Sequence, residues 1–178
     1  MNRTERNFWL DMSIFAALAI TAITGILLWL VNPHSLGLAF LGPSRGICSI
    51  AHIGFGAAGL AGVIVHIVWH WDWLKGLRGR PLREMPRKLC TNRIVDRILW
   101  LTYMTANGFG VMAWALRIGA DHYMVRVPDR LHGVFGIACT MAMAVHLTLH
   151  WKWIASAFRR YIQIHIGAAN TLQKPENL

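Results

Sequence analysis

Six histidines fall into two sets with the same spacing: His52, His66 and His70, then His132, His146 and His150. Each set sits in an apolar stretch, where a histidine is costly enough that it normally serves a function. His52 and His66 are 14 positions apart, as are His132 and His146. On an α-helix that is a rise of about 21 Å with the two side chains within about 40° of one another. Two such helices facing each other stack two imidazole pairs, His52 with His132 and His66 with His146. A pair of facing imidazoles is an axial ligand set for haem b. It fills all six positions on the iron, which suits electron transfer and leaves no open position for oxygen chemistry.

His70 and His150 lie one turn further on, about 6 Å along the axis. Ligation by His66 and His146 puts the irons about 21 Å apart, and ligation by His70 and His150 about 27 Å, a poorer distance for tunnelling. The shorter arrangement is expected. It leaves His70 and His150 to bond haem propionates, close a quinone pocket or sit at the interface beside Trp71 and Trp151. Gly56 and Gly136 follow the outer ligands by one turn, and Gly25 and Gly110 lie at the matching depth of the preceding helices. These four glycines are expected to make room for one porphyrin, although each alone also suits plain helix packing. Asp11 and Asp96 stand at the ends of the first and third apolar stretches. A carboxylate there can orient an imidazole or take its proton, but pairing with arginines such as Arg97 is the preferred expectation. Arg97, like Arg93, Arg45 and Arg130, also suits a propionate. His34, His122 and His165 fall in loops or the tail, and no methionine pairs with a single histidine.

The elements that hold these groups must be membrane spans. Of 178 residues, 55% are apolar and 15% charged, against about 25% charged in a soluble domain. Four apolar stretches, Phe8 to Val31, Ile50 to Leu74, Ile94 to Leu116 and Leu131 to Ala157, each reach the roughly 20 residues a spanning helix needs. The first is too long for a signal peptide and has no small-x-small cleavage site after it. Fourteen of the 18 Lys and Arg fall at the termini and in the middle loop, and only Arg45, Arg117, Arg126 and Arg130 fall on the other side. The positive-inside rule then puts both termini in the cytoplasm, as in a multi-pass protein of the inner (cytoplasmic) membrane. The net charge of +10 is thus a topology signal rather than a nucleic-acid surface. Tryptophans at the ends of the stretches suit an aromatic belt in contact with membrane lipid.

The chain also repeats itself. A shift of 80 positions lays His52, Phe55, Gly56, Ala58, Val65, His66, His70, Trp71 and Trp73 on His132, Phe135, Gly136, Ala138, Val145, His146, His150, Trp151 and Trp153. A shift of 85 lays Asn7, Asp11, Gly25 and Trp29 on Asn92, Asp96, Gly110 and Trp114. The expected fold is an all-α integral-membrane protein: a four-transmembrane-helix bundle of two tandem helical hairpins, a parallel internal repeat with its twofold axis along the membrane normal. It forms a single membrane domain, with repeat 1 over about 7–74, a basic cytoplasmic loop over 75–93, repeat 2 over about 92–158 and a tail over 159–178. Cys48, Cys90 and Cys139 are far apart and no C-x-x-C-H run is present, so any haem is held without thioether bonds.

The pattern H-x13-H-x3-H-W-x-W, at His52 to Trp73 and again at His132 to Trp153, resembles the small haem-binding membrane proteins known as flavinylation-associated cytochromes. More broadly it is similar to the cytochrome b, ferric-reductase and cytochrome b561-type four-helix cores. The resemblance covers roughly residues 7 to 158, and the family's ligand spacing maps onto His52, His66, His132 and His146. It implies a subunit with two b haems that passes electrons between the quinone pool and a partner redox protein carrying haem c, an iron–sulfur cluster or flavin. The chain has no flavin-attachment or nucleotide-binding motif, which argues against a self-contained NAD(P)H-driven reductase. Two other readings stand beside it. One is a stand-alone haem b oxidoreductase acting on superoxide or a ferric chelate; the other is a non-redox membrane anchor or metal-handling protein whose histidines bind zinc or copper.

Overall fold

The computed structural model describes residues 3–30, 45–78, 81–119 and 122–172. Among them there is no strand, and the chain order is α1 (Arg3–Leu30), α2 (Arg45–Trp69), α3 (Trp71–Arg78), a 3-10 turn at Leu82–Glu84, α4 (Arg87–Ile118) and α5 (His122–Leu172). Helix is the form in which an apolar segment satisfies its own backbone groups. The polar side chains inside these helices follow the same rule. Thr21, Thr24, Thr102, Thr105 and Thr140 each return a hydroxyl to the carbonyl four residues back, at 2.7–2.9 Å.

The ends of the elements have local causes. Hydrogen bonding continues across the junction of α2 and α3, where His70 N–H donates to the His66 carbonyl and Leu74 N–H to that of His70. Pro86 precedes α4 with φ −54°, a position where a missing N–H costs nothing. The expected span Leu131 to Ala157 lies inside α5, but the helix continues to Leu172 through much of the segment read from sequence as a tail. Arg159, Arg160 and Gln163 are good helix formers, so the end of the apolar run does not end the helix. His34 lies outside the described residues, as do the side chains of His122 and His165.

The close packing is concentrated within two helix pairs, α1 with α2 and α4 with α5. In the first pair a Cβ on Gly59 would lie 2.8 Å from Leu18 Cδ2, and one on Gly62 would lie 2.7 Å from Ile14 Cγ1. Small residues let the backbones approach, as membrane helices require in the absence of a hydrophobic drive. Between the pairs, sustained contact runs from α1 to α5. There Phe8, wholly buried, meets Ala157 and Tyr161, with Met12 packed alongside; the Phe8 and Tyr161 rings lie 5.1 Å apart. The helices α2 and α5 are not packed closely along their lengths among the described residues.

Large apolar side chains cover the outside, including Ile47, Ile50, Leu101, Val134 and Met141. Among the described residues, three segments are long and apolar enough to cross a membrane: Arg3–Leu30, Arg45–Trp69 and Tyr123–Ile162. The remaining expected span, Ile94 to Leu116, forms a helix within α4 but is not among them. Asp96 and Arg97 open that stretch, and Thr102, Tyr103, Thr105 and Asn107 dilute its middle.

Phe8 is the anchor between the pairs, so Phe8→Ala should cost about 3 kcal/mol by the cavity it leaves. Thermal unfolding in detergent should show a clear fall in Tm, whereas Ile47→Ala at an exposed position should leave it within error.

Candidate functional site

Two levels of histidine emerge from this packing, and each is built twice. At the first, the His52 and His132 rings meet edge-on, with centroids 5.7 Å apart and planes at 83°. They extend from α2 and α5, which are not packed closely along their lengths among the described residues. His52 Nδ1 lies 2.9 Å from the Thr21 carbonyl and His132 Nδ1 lies 2.8 Å from the Ala106 carbonyl. A carbonyl only accepts, so both Nδ1 atoms carry the proton and both Nε2 atoms are left with a lone pair. Thr24 Oγ1, 3.4 Å from His52 Nδ1, adds a weaker contact in the first hairpin.

The glycines at this level explain how an imidazole reaches a carbonyl already engaged in a helix. Thr21 and Ala106 each stand four residues before a glycine, Gly25 and Gly110. A Cβ on Gly25 would lie 2.9 Å from His52 Cε1, and one on Gly110 would lie 2.8 Å from His132 Nδ1. The missing side chains therefore seat the imidazoles themselves. Gly56 faces only an ordinary contact with Thr21, and Gly136 has open space where its Cβ would be.

At the second level His66 Nδ1 lies 2.7 Å from Asp11 Oδ1, and His146 Nδ1 lies 2.8 Å from Asp96 Oδ1. Both pairs are half-buried, with side-chain exposures of 24–41%. The preferred expectation of arginine partners for the two aspartates is not what the structure shows: each orients an imidazole instead. The reason is geometric, because each carboxylate sits inside its helix pair facing the histidine, while Arg97 is exposed and forms no ion pair among the described residues. His70 and His150 lie tilted against His66 and His146, with ring centroids 4.7 Å apart in both helix pairs. Asp96, His146 and His150 offer three donor atoms within 4.8 Å of one another.

Four imidazoles thus have Nδ1 held by an oxygen of the preceding helix. A ligating histidine commonly donates its second nitrogen to a carbonyl or carboxylate, which fixes tautomer and ring orientation. Sequence reasoning found all four histidines and both aspartates. It missed the carbonyls of Thr21 and Ala106, for which the only sequence signal is the glycine four residues on. It also missed a cavity of about 370 Å3 lined by Lys88, Asn92, Thr148, Leu149, His150, Lys152 and Trp153.

In cofactor-free 15N-labelled protein, His52, His66, His132 and His146 should all show the Nδ1–H tautomer. Gly110→Ala should displace His132 from its carbonyl and mix its tautomers without changing the other three. A dominant Nε2–H form in the unmodified protein would contradict the hydrogen bonding described. No family model matches this chain, and the searches of curated proteins and of solved structures also gave no match.

Proposed function

We propose that this chain is an electron-transfer subunit of the inner membrane that holds two b-type haems, with His52 and His132 ligating one and His66 and His146 the other. The observation that carries the reading is the twofold set of imidazoles anchored at Nδ1, with His52 and His132 ring to ring across helices that do not pack together. The chain's residues suit the group. Donor atoms are of the right type, second-nitrogen partners are in place, and the position of Gly136 is open. In this reading α1, α2, α4 and α5 all span, as a four-transmembrane-helix bundle of two tandem hairpins in parallel repeat. The basic middle loop and both termini are cytoplasmic.

When bound, such haems supply one-electron transfer at iron whose six positions are filled. The protein's part is to fix the ligands and to separate the levels by about 21 Å, the rise of 14 helical residues. Aspartates take the place of backbone carbonyls at the second level, so His66 and His146 are preferred to His70 and His150 as its ligands. His150 then borders the cavity beside Lys88, Lys152 and Trp153. Donor groups next to an indole fit the two oxygens and flat ring of a quinone, which makes this cavity the proposed point of exchange with the quinone pool. A redox protein partner exchanges electrons with the other haem.

One observation favours a second reading. Asp96, His146 and His150 together provide the N, N and O donors of a zinc-type site, which would make the protein a metal-handling one.

Protein purified from haem-replete cells should show a reduced-minus-oxidised α band and about two haems per chain. His52→Ala or His132→Ala should lose one haem and keep the other, while His70→Ala should keep both. Absence of any haem band would overturn the proposal. Stoichiometric zinc that is abolished by Asp96→Asn would then establish the second reading.

A further inference from the structure

The two levels differ in one chemical respect. His52 and His132 donate their Nδ1 protons to neutral backbone carbonyls, of Thr21 and Ala106. His66 and His146 have carboxylate oxygens at the same atom, 2.7 and 2.8 Å away. Both hairpins make the same distinction, so it belongs to the repeat rather than to one copy. A hydrogen bond from Nδ1–H to a carboxylate pulls the proton away from the ring and leaves the imidazole more electron-donating at Nε2 than one bonded to an amide carbonyl. A more donating ligand pair stabilises ferric over ferrous iron, and hydrogen bonding to ligands is one of the recognised controls of haem potential.

Resting on the two-haem reading, we propose that Asp11 and Asp96 are positioning residues that set the order of the two potentials. They hold the haem on His66 and His146 below the haem on His52 and His132. In a molecule carrying one electron, the iron at the His66 and His146 level is then oxidised and the iron at the His52 and His132 level is reduced. No proton or further reactant is needed for that distribution.

An opposing influence comes from the basic groups at the same end. Arg3 lies near His70, and Lys88 lies near His150; positive charge there favours ferrous iron. These cations act through space, on flexible side chains next to solvent, where interactions are screened. The two carboxylates act through a hydrogen bond on the ligand itself. The directly bonded pair therefore decides the order.

The test is an equilibrium redox titration of the haem-loaded protein with dithionite and mediators, followed at the α band. Two one-electron steps are expected. In His52→Ala, which keeps only the aspartate-linked haem, the lower step should remain. Asp11→Asn and Asp96→Asn should each raise the reduced-to-oxidised ratio of the lower step about tenfold at fixed potential, which is about 59 mV for one electron, and leave the upper step in place. Asp96→Glu, which keeps the carboxylate, should stay near the unmodified value. The inference is overturned if the upper step moves instead, if neither moves, or if His52→Ala retains the upper step. Should both asparagine variants lose a haem, the step left in His52→Ala decides alone. Absence of haem altogether would sink the two-haem reading itself, a different outcome from two haems titrating in the wrong order.

Discussion

The hydrogen bond at Nδ1 of each central histidine is the constraint around which the rest of this protein is arranged. An imidazole in an apolar helix bundle must satisfy one polar nitrogen before the other can be used for chemistry. Here the solution comes from the preceding helix of the same hairpin: α1 serves the histidines of α2, and α4 serves those of α5. Because α1 and α4 supply the second-nitrogen partners, their packing against α2 and α5 is also the device that fixes ring orientation.

This division of labour accounts for how the helices associate. Within each hairpin the backbones come close, aided by Gly59 and Gly62 in the first. Between hairpins, sustained packing runs from α1 to α5, around Phe8 and Tyr161. The helices α2 and α5 are left free to present side chains towards each other without interlocking.

The two helix pairs share this framework and differ around it. Asp72 in the first corresponds to Lys152 in the second; Asp72 pairs with Lys75, while Lys152 lines the cavity. Arg3 corresponds to Lys88, and Arg3 reaches the Trp69 carbonyl at 3.5 Å while Lys88 also lines the cavity. Farther in, Leu18 and Gly59 pack together where the second copy has the buried Tyr103 and a partly exposed Cys139. The contacts shared by the two pairs are those that orient imidazoles, and the altered ones lie around them.

Sequence alone was enough to determine the all-helical character, the duplication and the spacing of the six histidines. Each of these is a one-dimensional property: apolar run length, self-similarity at fixed offset, and helical phase. It also marked Asp11 and Asp96 as chemically placed, but an aspartate near several arginines and a histidine has no unique partner until the helices are set side by side. Tertiary structure decided that these carboxylates bond His66 and His146, and that Gly25 and Gly110 seat imidazoles against the carbonyls of Thr21 and Ala106. Backbone carbonyls carry no side-chain identity, so a string of residues cannot announce them as partners. Which donor meets which acceptor depends on the distance between two helices, and that distance is fixed only when their surfaces pack.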